Sequence, residues 1–152
     1  MPSPLQPGPD RTLDFVRTVA RLARIPDLRV QPLAAAQLVM AMRLRPILDC
    51  AERDAVAELA MRFGSLPAAL AALALCEQVA AAWPEAFALQ RPCCVKLTPD
   101  EHTLAQMARA SATGDRAGFS ALLDGFVRTS RHDRLFDATV RALAALSAAN
   151  PA

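Results

Sequence analysis

The stretch TPDEHTLAQMARASATGDRAGFSALLDGFV, residues 98–127, carries the punctuation that decides the fold. Thr98 can cap a helix, Pro99 suits the first helical position, and Glu101 stands where it closes a capping box. Gly114 ends the helix so begun. Asp115 can cap the next one, in which Phe119, Leu122, Leu123, Phe126 and Val127 form one apolar stripe. Ser130 and Asp133 open a last helix with Phe136, Val140 and Leu143 on its inner face. Connections of about two to four residues make these three helices antiparallel neighbours.

Working back from Thr98, the same period of 3.6 recurs and nothing alternates with period two. Residues 84–96 are irregular and contain Arg91-Pro92-Cys93-Cys94. An alanine-rich helix spans about Pro67 to Trp83. Its charge-free run from Gly64 to Cys76, apolar on to Trp83 except for Glu77 and Gln78, is interrupted by Pro67, Glu77 and Pro84, whereas crossing a membrane takes about 20 apolar residues. It reads instead as a helix buried on most sides. Asp49-Cys50-Ala51-Glu52 has capping-box spacing ahead of a helix carrying Val56, Leu59, Ala60 and Phe63 and closing at Gly64. Leu33 to Arg45 reads as a helix with Leu33, Met40 and Leu44 inward, broken or kinked by Pro46. From Asp10 or Thr12 to Ile25, Phe15, Val16, Val19, Leu22 and Ala23 face inward, with Asp14, Arg17, Arg21 and Arg24 opposite. The fold class that follows is all-α, a single-domain bundle of about six helices with short connections. Residues 1–10, with four prolines, read as a disordered tail ahead of a helical domain spanning 11–149.

Composition narrows the function classes. Apolar residues make up 53% of the chain, too many for a disordered protein. The formal net charge of +2 gives no general attraction to nucleic acid. All bases but Lys96 are arginine, and alanine is abundant while tyrosine is absent, a bias that GC-rich coding explains without any phosphate-binding role. The first residues have neither a charged n-region nor an apolar h-region, so no secretory signal is expected. Cytoplasmic localisation and four reduced cysteines follow from that expectation.

Several constellations could carry chemistry. Cys93 and Cys94, just before a helix N-terminus and near Lys96, could bind a soft metal such as zinc or iron with His102 as a nitrogen ligand, form a strained vicinal disulfide, or sense oxidants. Cys50 or Cys76 could complete the set. Against this, metal sites usually show paired C-x-x-C spacing, adjacent cysteines splay apart, and Cys76 within an apolar helix is most simply core filler. Cys50 has no local histidine and is flanked by Asp49 and Glu52, which oppose a thiolate. Ser130, His132 and Asp133 invite comparison with a triad, yet neighbours on one helical turn point to different faces, and catalytic triads converge from distant positions. The stripe Arg17, Arg21 and Arg24, extended by Arg29, Arg43 and Arg45, is a candidate phosphate or nucleic-acid contact, but with Asp14 and Asp27 beside it and no interleaved aromatic residues ordinary helix solvation is the better account. Nucleophile elbows and phosphate-cradling glycine loops are absent from the sequence.

Arg91-Pro92-Cys93-Cys94 followed by Leu97-Thr98-Pro99-Asp100-Glu101 resembles a passage in small alanine-rich helical proteins of alphaproteobacteria. The likeness covers some ten residues and a general helical texture. It implies a bacterial cytosolic protein and a Pro-Cys-Cys turn of some importance. No activity is assigned to that family, so it implies no catalytic or binding role for any residue. Members carry a further cysteine at this turn where this chain has Val95, which weakens a metal reading by resemblance.

The functional expectation is a non-enzymatic helical protein with a regulatory or adaptor role, acting by protein–protein interaction, as a homodimer or within a complex. An alanine-rich core is thin, because alanine buries little area, and a partner surface would supplement it. The helices around Phe119, Phe126 and Phe136 could supply that face, although their first duty is packing within the chain. The rival is a thiol-based metal-binding or redox-sensing protein centred on Cys93 and Cys94.

Overall fold

Why the chain turns where it does is visible in its caps. The computed structural model describes residues 25–151. Within them lie six α-helices: α1 (Leu33–Cys50), α2 (Ala55–Phe63), α3 (Leu66–Ala82), α4 (Pro99–Ala112), α5 (Arg116–Leu123) and α6 (His132–Ala149). Short 3-10 turns occupy Leu28–Val30 and Thr129–Arg131. The expected tail at 1–10, the expected first helix up to Arg24, and with it Arg17, Arg21 and Arg24, lie outside the described residues.

The capping box at Thr98 forms in full: the Thr98 hydroxyl accepts from the Glu101 N–H at 3.0 Å, and Glu101 reaches back to the Thr98 N–H at 2.9 Å. Asp115 caps α5 through the Gly118 N–H, and Ser65 caps α3 through Ala68. Gly64 stands at φ +67, the left-handed conformation glycine adopts without steric penalty, so α2 folds back directly into α3.

Four local expectations are corrected. α1 does not end near Pro46 but runs through it to Cys50; a proline removes one N–H from the ladder, and packing of the flanking turns carries the helix past it. Consequently Asp49 does not cap α2; Asp54 does, accepting from Val56 and Ala57. Ser130 does not cap α6, which opens at His132 with no side-chain cap, although Asp133 stands in its first turn as expected. Leu33 and Val140 face outward, because the buried side of α1 follows Ala35, Leu38, Val39 and Met42, and that of α6 follows Leu135, Thr139, Ala142 and Leu146.

The result is an all-α, single-domain bundle with short connections, apart from the long segment between α3 and α4. α6 packs most extensively on α3, α2 lies against α3, and α1 pairs with α4. α4 also packs against α5 and α6. Leu38, Leu59, Leu75, Leu104, Met107, Phe119, Leu123, Leu135 and Leu146 are among the large buried apolar side chains around which alanines close the gaps. No helix among the described residues is long and apolar enough to cross a membrane.

Candidate functional site

Between α3 and α4 the chain has no regular structure, and its backbone groups must find partners elsewhere. They find them on one buried arginine. Arg43, on the inner side of α1, donates from Nε to Glu101 Oε1 at 2.7 Å and from Nη2 to Oε2 at 2.8 Å. Its remaining N–H groups reach the carbonyls of Cys94 at 2.6 Å, Lys96 at 2.9 Å and Arg91 at 3.3 Å. A guanidinium has five N–H donors, so every one is used. Glu101 is saturated as well, accepting from the Gln90 and Thr98 N–H groups besides Arg43. Both side chains are fully buried. Burial pushes the Glu101 carboxyl up, but the hydrogen bonds from Arg43, Gln90 and Thr98 outweigh it and leave the group below its ordinary value.

Further ties hold the segment. Leu28 donates to the Val95 carbonyl at 2.7 Å and Leu97 to that of Pro26 at 2.9 Å, a short antiparallel bridge. Asp27 beside it accepts from Arg29, which holds its carboxyl well below the usual carboxylate range. Asp100 accepts from the Ala88 N–H, and Thr98 donates to the Ala88 carbonyl. The Pro-Cys-Cys turn is thus a rigid, backbone-anchored structure.

That arrangement overturns the metal reading. Cys93 is exposed, Cys94 half-buried, Cys50 exposed on another part of the surface and Cys76 buried in α3; all four are free thiols. Among the described residues no three His, Cys, Asp or Glu side chains gather so as to hold a metal ion, so the expected zinc or iron site of Cys93, Cys94 and His102 does not form. What the turn encloses is the Arg43 cation, and a positive charge under the turn disfavours a second one. His102 instead lies against Gln106, and burial lowers its pKa, with Arg109 adding to the effect. Cys76 is core filler as expected, its thiol pushed up to about 12 by burial.

The other candidates are dispersed. Phe119 and Phe136 are buried against each other edge to face, with Arg116 over the Phe136 ring. Phe126 is more exposed and rests on Trp83. The three rings therefore do not form one outward face. His132 is buried with Nε2 at 3.0 Å from the Val127 carbonyl, while Asp133 points to solvent and pairs with Arg116, so Ser130, His132 and Asp133 diverge. Arg29 is engaged by Asp27, Arg45 by Asp49 and Glu77, and Arg43 is interior, so those three do not extend a basic surface stripe.

One surface stands out in its place. α3 carries no charged side chain from Leu66 to Cys76, yet only one side of it is buried. Leu66 is 54% and Leu70 50% exposed; with Ala74 they fall at i, i+4 and i+8 along the outer face. Met61, at 82% exposed, stands on α2 of the same hairpin. A shallow groove of about 430 Å³ runs beside Leu70 and Ala74, with Ala138 and Arg141 of α6 as its far wall. The sequence signal was the charge-free run itself, which reads as burial within the chain when it reflects an apolar helix only half covered by it. Compared with protein-family models, with curated proteins and with solved structures, the chain matches none, and its function is argued from its own residues.

Proposed function

We propose that the protein is a non-enzymatic helical interaction module that works as a homodimer joined through the outer face of α3. The observation that carries this reading is a stretch of α3, Leu66 to Cys76, that is apolar on all sides and that its own chain covers on one side only. A helix of that kind belongs in an interior. Burying a leucine side chain contributes roughly 1.5–3 kcal/mol, so Leu66 and Leu70 hold a driving force that the isolated chain leaves unused. A second copy fits because the apolar part of the stripe is self-complementary: large residues, Leu66 and Leu70, at one end and the small Ala74 further along, with Glu77 beyond it at the polar rim. A two-fold axis crossing α3 between Leu70 and Ala74 would set Leu70 of each copy over Ala74 of the other. Free thiols suit a reducing compartment, and the proposal places the dimer in the cytosol.

Native mass spectrometry tests it. The wild-type chain should run at twice 16.3 kDa, and the double variant Leu66→Glu/Leu70→Glu should run as a folded monomer with an unchanged helical circular dichroism spectrum. A wild-type monomer at every concentration would sink the reading, as would a dimer indifferent to both substitutions.

A further inference from the structure

Where α3 ends and the chain turns into α6, a cleft of about 400 Å³ opens, at the far end of α3 from Leu66 and Leu70. That volume lies within the roughly 300–1,000 Å³ of small-molecule sites. Arg128 and Arg131 line it, together with Trp83, Pro84, Phe126 and two alanines of α3, and no carboxylate does. Glu85 and Asp124, close by in sequence, are exposed and stand outside it.

Trp83 is the residue that points to a ligand. It is 8% exposed, packed by Phe87 and Phe126 with ring centroids at 5.0 and 5.3 Å. A buried indole ordinarily finds a partner for its N–H, and an unpaired donor is costly. Here the N–H makes no hydrogen bond among the described residues, yet it is not one of the polar atoms sealed from solvent, so it reaches the surface. The little surface that Trp83 keeps lies on the cleft it lines, which aims the unpaired donor into that cleft.

The two arginines come to the same place through local structure. They bracket the 3-10 turn ahead of α6, closed by a bond from the Arg131 N–H to the Arg128 carbonyl at 2.9 Å. Residues three apart in such a turn come onto one side. Neither makes an ion pair among the described residues. Guanidinium and indole N–H groups only donate, so all three polar side chains lining the cleft call for an acceptor-rich anion. The helix ends do not decide the matter: the last turn of α3 brings a negative dipole end to the cleft and the start of α6, at Arg131, a positive one. Two positive charges match a dianion, and donors from two separate elements meet a tetrahedral group from more than one direction. We infer that this cleft binds a small phosphate monoester. Its phosphate is received by Arg128, Arg131 and the Trp83 N–H, and its organic part lies against Pro84 and Phe126. The site lies apart from the α3 leucines and does not depend on dimer formation.

Phenyl phosphate is the probe, titrated into the full chain labelled with nitrogen-15 and followed by NMR. Trp83 is the only tryptophan, so the single indole N–H signal reports on the cleft directly. That signal should shift saturably, with one phenyl phosphate per chain. Arg128→Gln and Arg131→Gln, both outside the core, should each keep the helical circular dichroism spectrum and weaken binding at least about tenfold, as the loss of a charge-assisted contact does. Arg62→Gln, at an exposed arginine of α2 that does not line the cleft, should leave binding unchanged. Phenylacetate, a planar monoanion with the same ring, should bind at least about tenfold more weakly, and inorganic phosphate, which lacks the ring, should also bind more weakly. An indole signal that ignores phenyl phosphate overturns the proposal, as does undiminished binding by both cleft arginine variants. Equal binding of phenylacetate or of inorganic phosphate would overturn the ligand class, and an equal loss in Arg62→Gln would reduce the site to general attraction by positive charge.

Discussion

At the scale of single residues, Arg43 and Glu101 do more than form an ion pair. A buried pair can often be replaced by apolar residues of similar volume at no net cost, because desolvation consumes most of the Coulombic gain. Here Arg43 also satisfies three carbonyls, and Glu101 two N–H groups, of a segment that has no helix of its own. Glu101→Ala or Arg43→Ala should each cost about 3–5 kcal/mol, the penalty for an uncompensated buried charge. The apolar double variant Arg43→Met/Glu101→Leu should fail to recover it, since the Arg91, Cys94 and Lys96 carbonyls would remain unpaired. Urea denaturation of the three variants measures this, and a double variant as stable as the wild type would show that the pair does not organise the turn. The cysteines offer a second check. In the native protein a maleimide should label Cys50 and Cys93 readily and leave Cys76 unlabelled until the chain is denatured.

Among the elements, those whose signals are local were legible, and those set at a distance were not. Thr98 and Asp115 act within a single turn, so their spacing sufficed to place α4 and α5. Arg43 could not be read that way: its partner lies 58 residues along the chain, and arginine is rarely buried without one. Its place four residues after the buried Val39 was the available signal, and an arginine there reads equally well as margin. The start of α6 shows how a local signal misleads, for Ser130 has the right residue type yet lies in a 3-10 turn one residue before the N-cap position, Arg131, and makes no cap. Paired substitutions separate the two cases. Thr98→Ala should cost about 1–2 kcal/mol, through the lost cap and the lost bond to Ala88, whereas Ser130→Ala should fall within about 0.5 kcal/mol of the wild type. Thermal denaturation of the two, side by side, decides it.

For the whole molecule, an unusual composition makes the pH dependence of stability assignable. Towards acid, His102 is the first group met: burial holds its folded pKa below the unfolded value of 6.5, so its contribution is complete above 6.5 and is lost as pH falls through the folded value. Glu101 follows. Its folded pKa is also depressed, so its contribution is present above the unfolded 4.5 and is lost as pH falls through a still lower folded value, when protonation breaks the contact with Arg43. The alkaline side depends on Cys76. Burial raises its thiol from 9.0 to about 12, so the folded chain holds a proton that the unfolded chain releases, and stability is intact below 9 and declines above it. Tyrosine is absent and Lys96 is the only lysine, so few other groups titrate in that range. Stability should therefore form a plateau between about pH 6.5 and 9, with an alkaline slope approaching about 1.4 kcal/mol per pH unit. Cys76→Ala should lower the plateau, because it opens a small cavity, and should flatten the alkaline slope while leaving the acid limb unchanged. Urea denaturation across pH 4 to 11 reads both limbs, and an alkaline slope that survives in Cys76→Ala would mean that a different group, not this buried thiol, sets the upper bound.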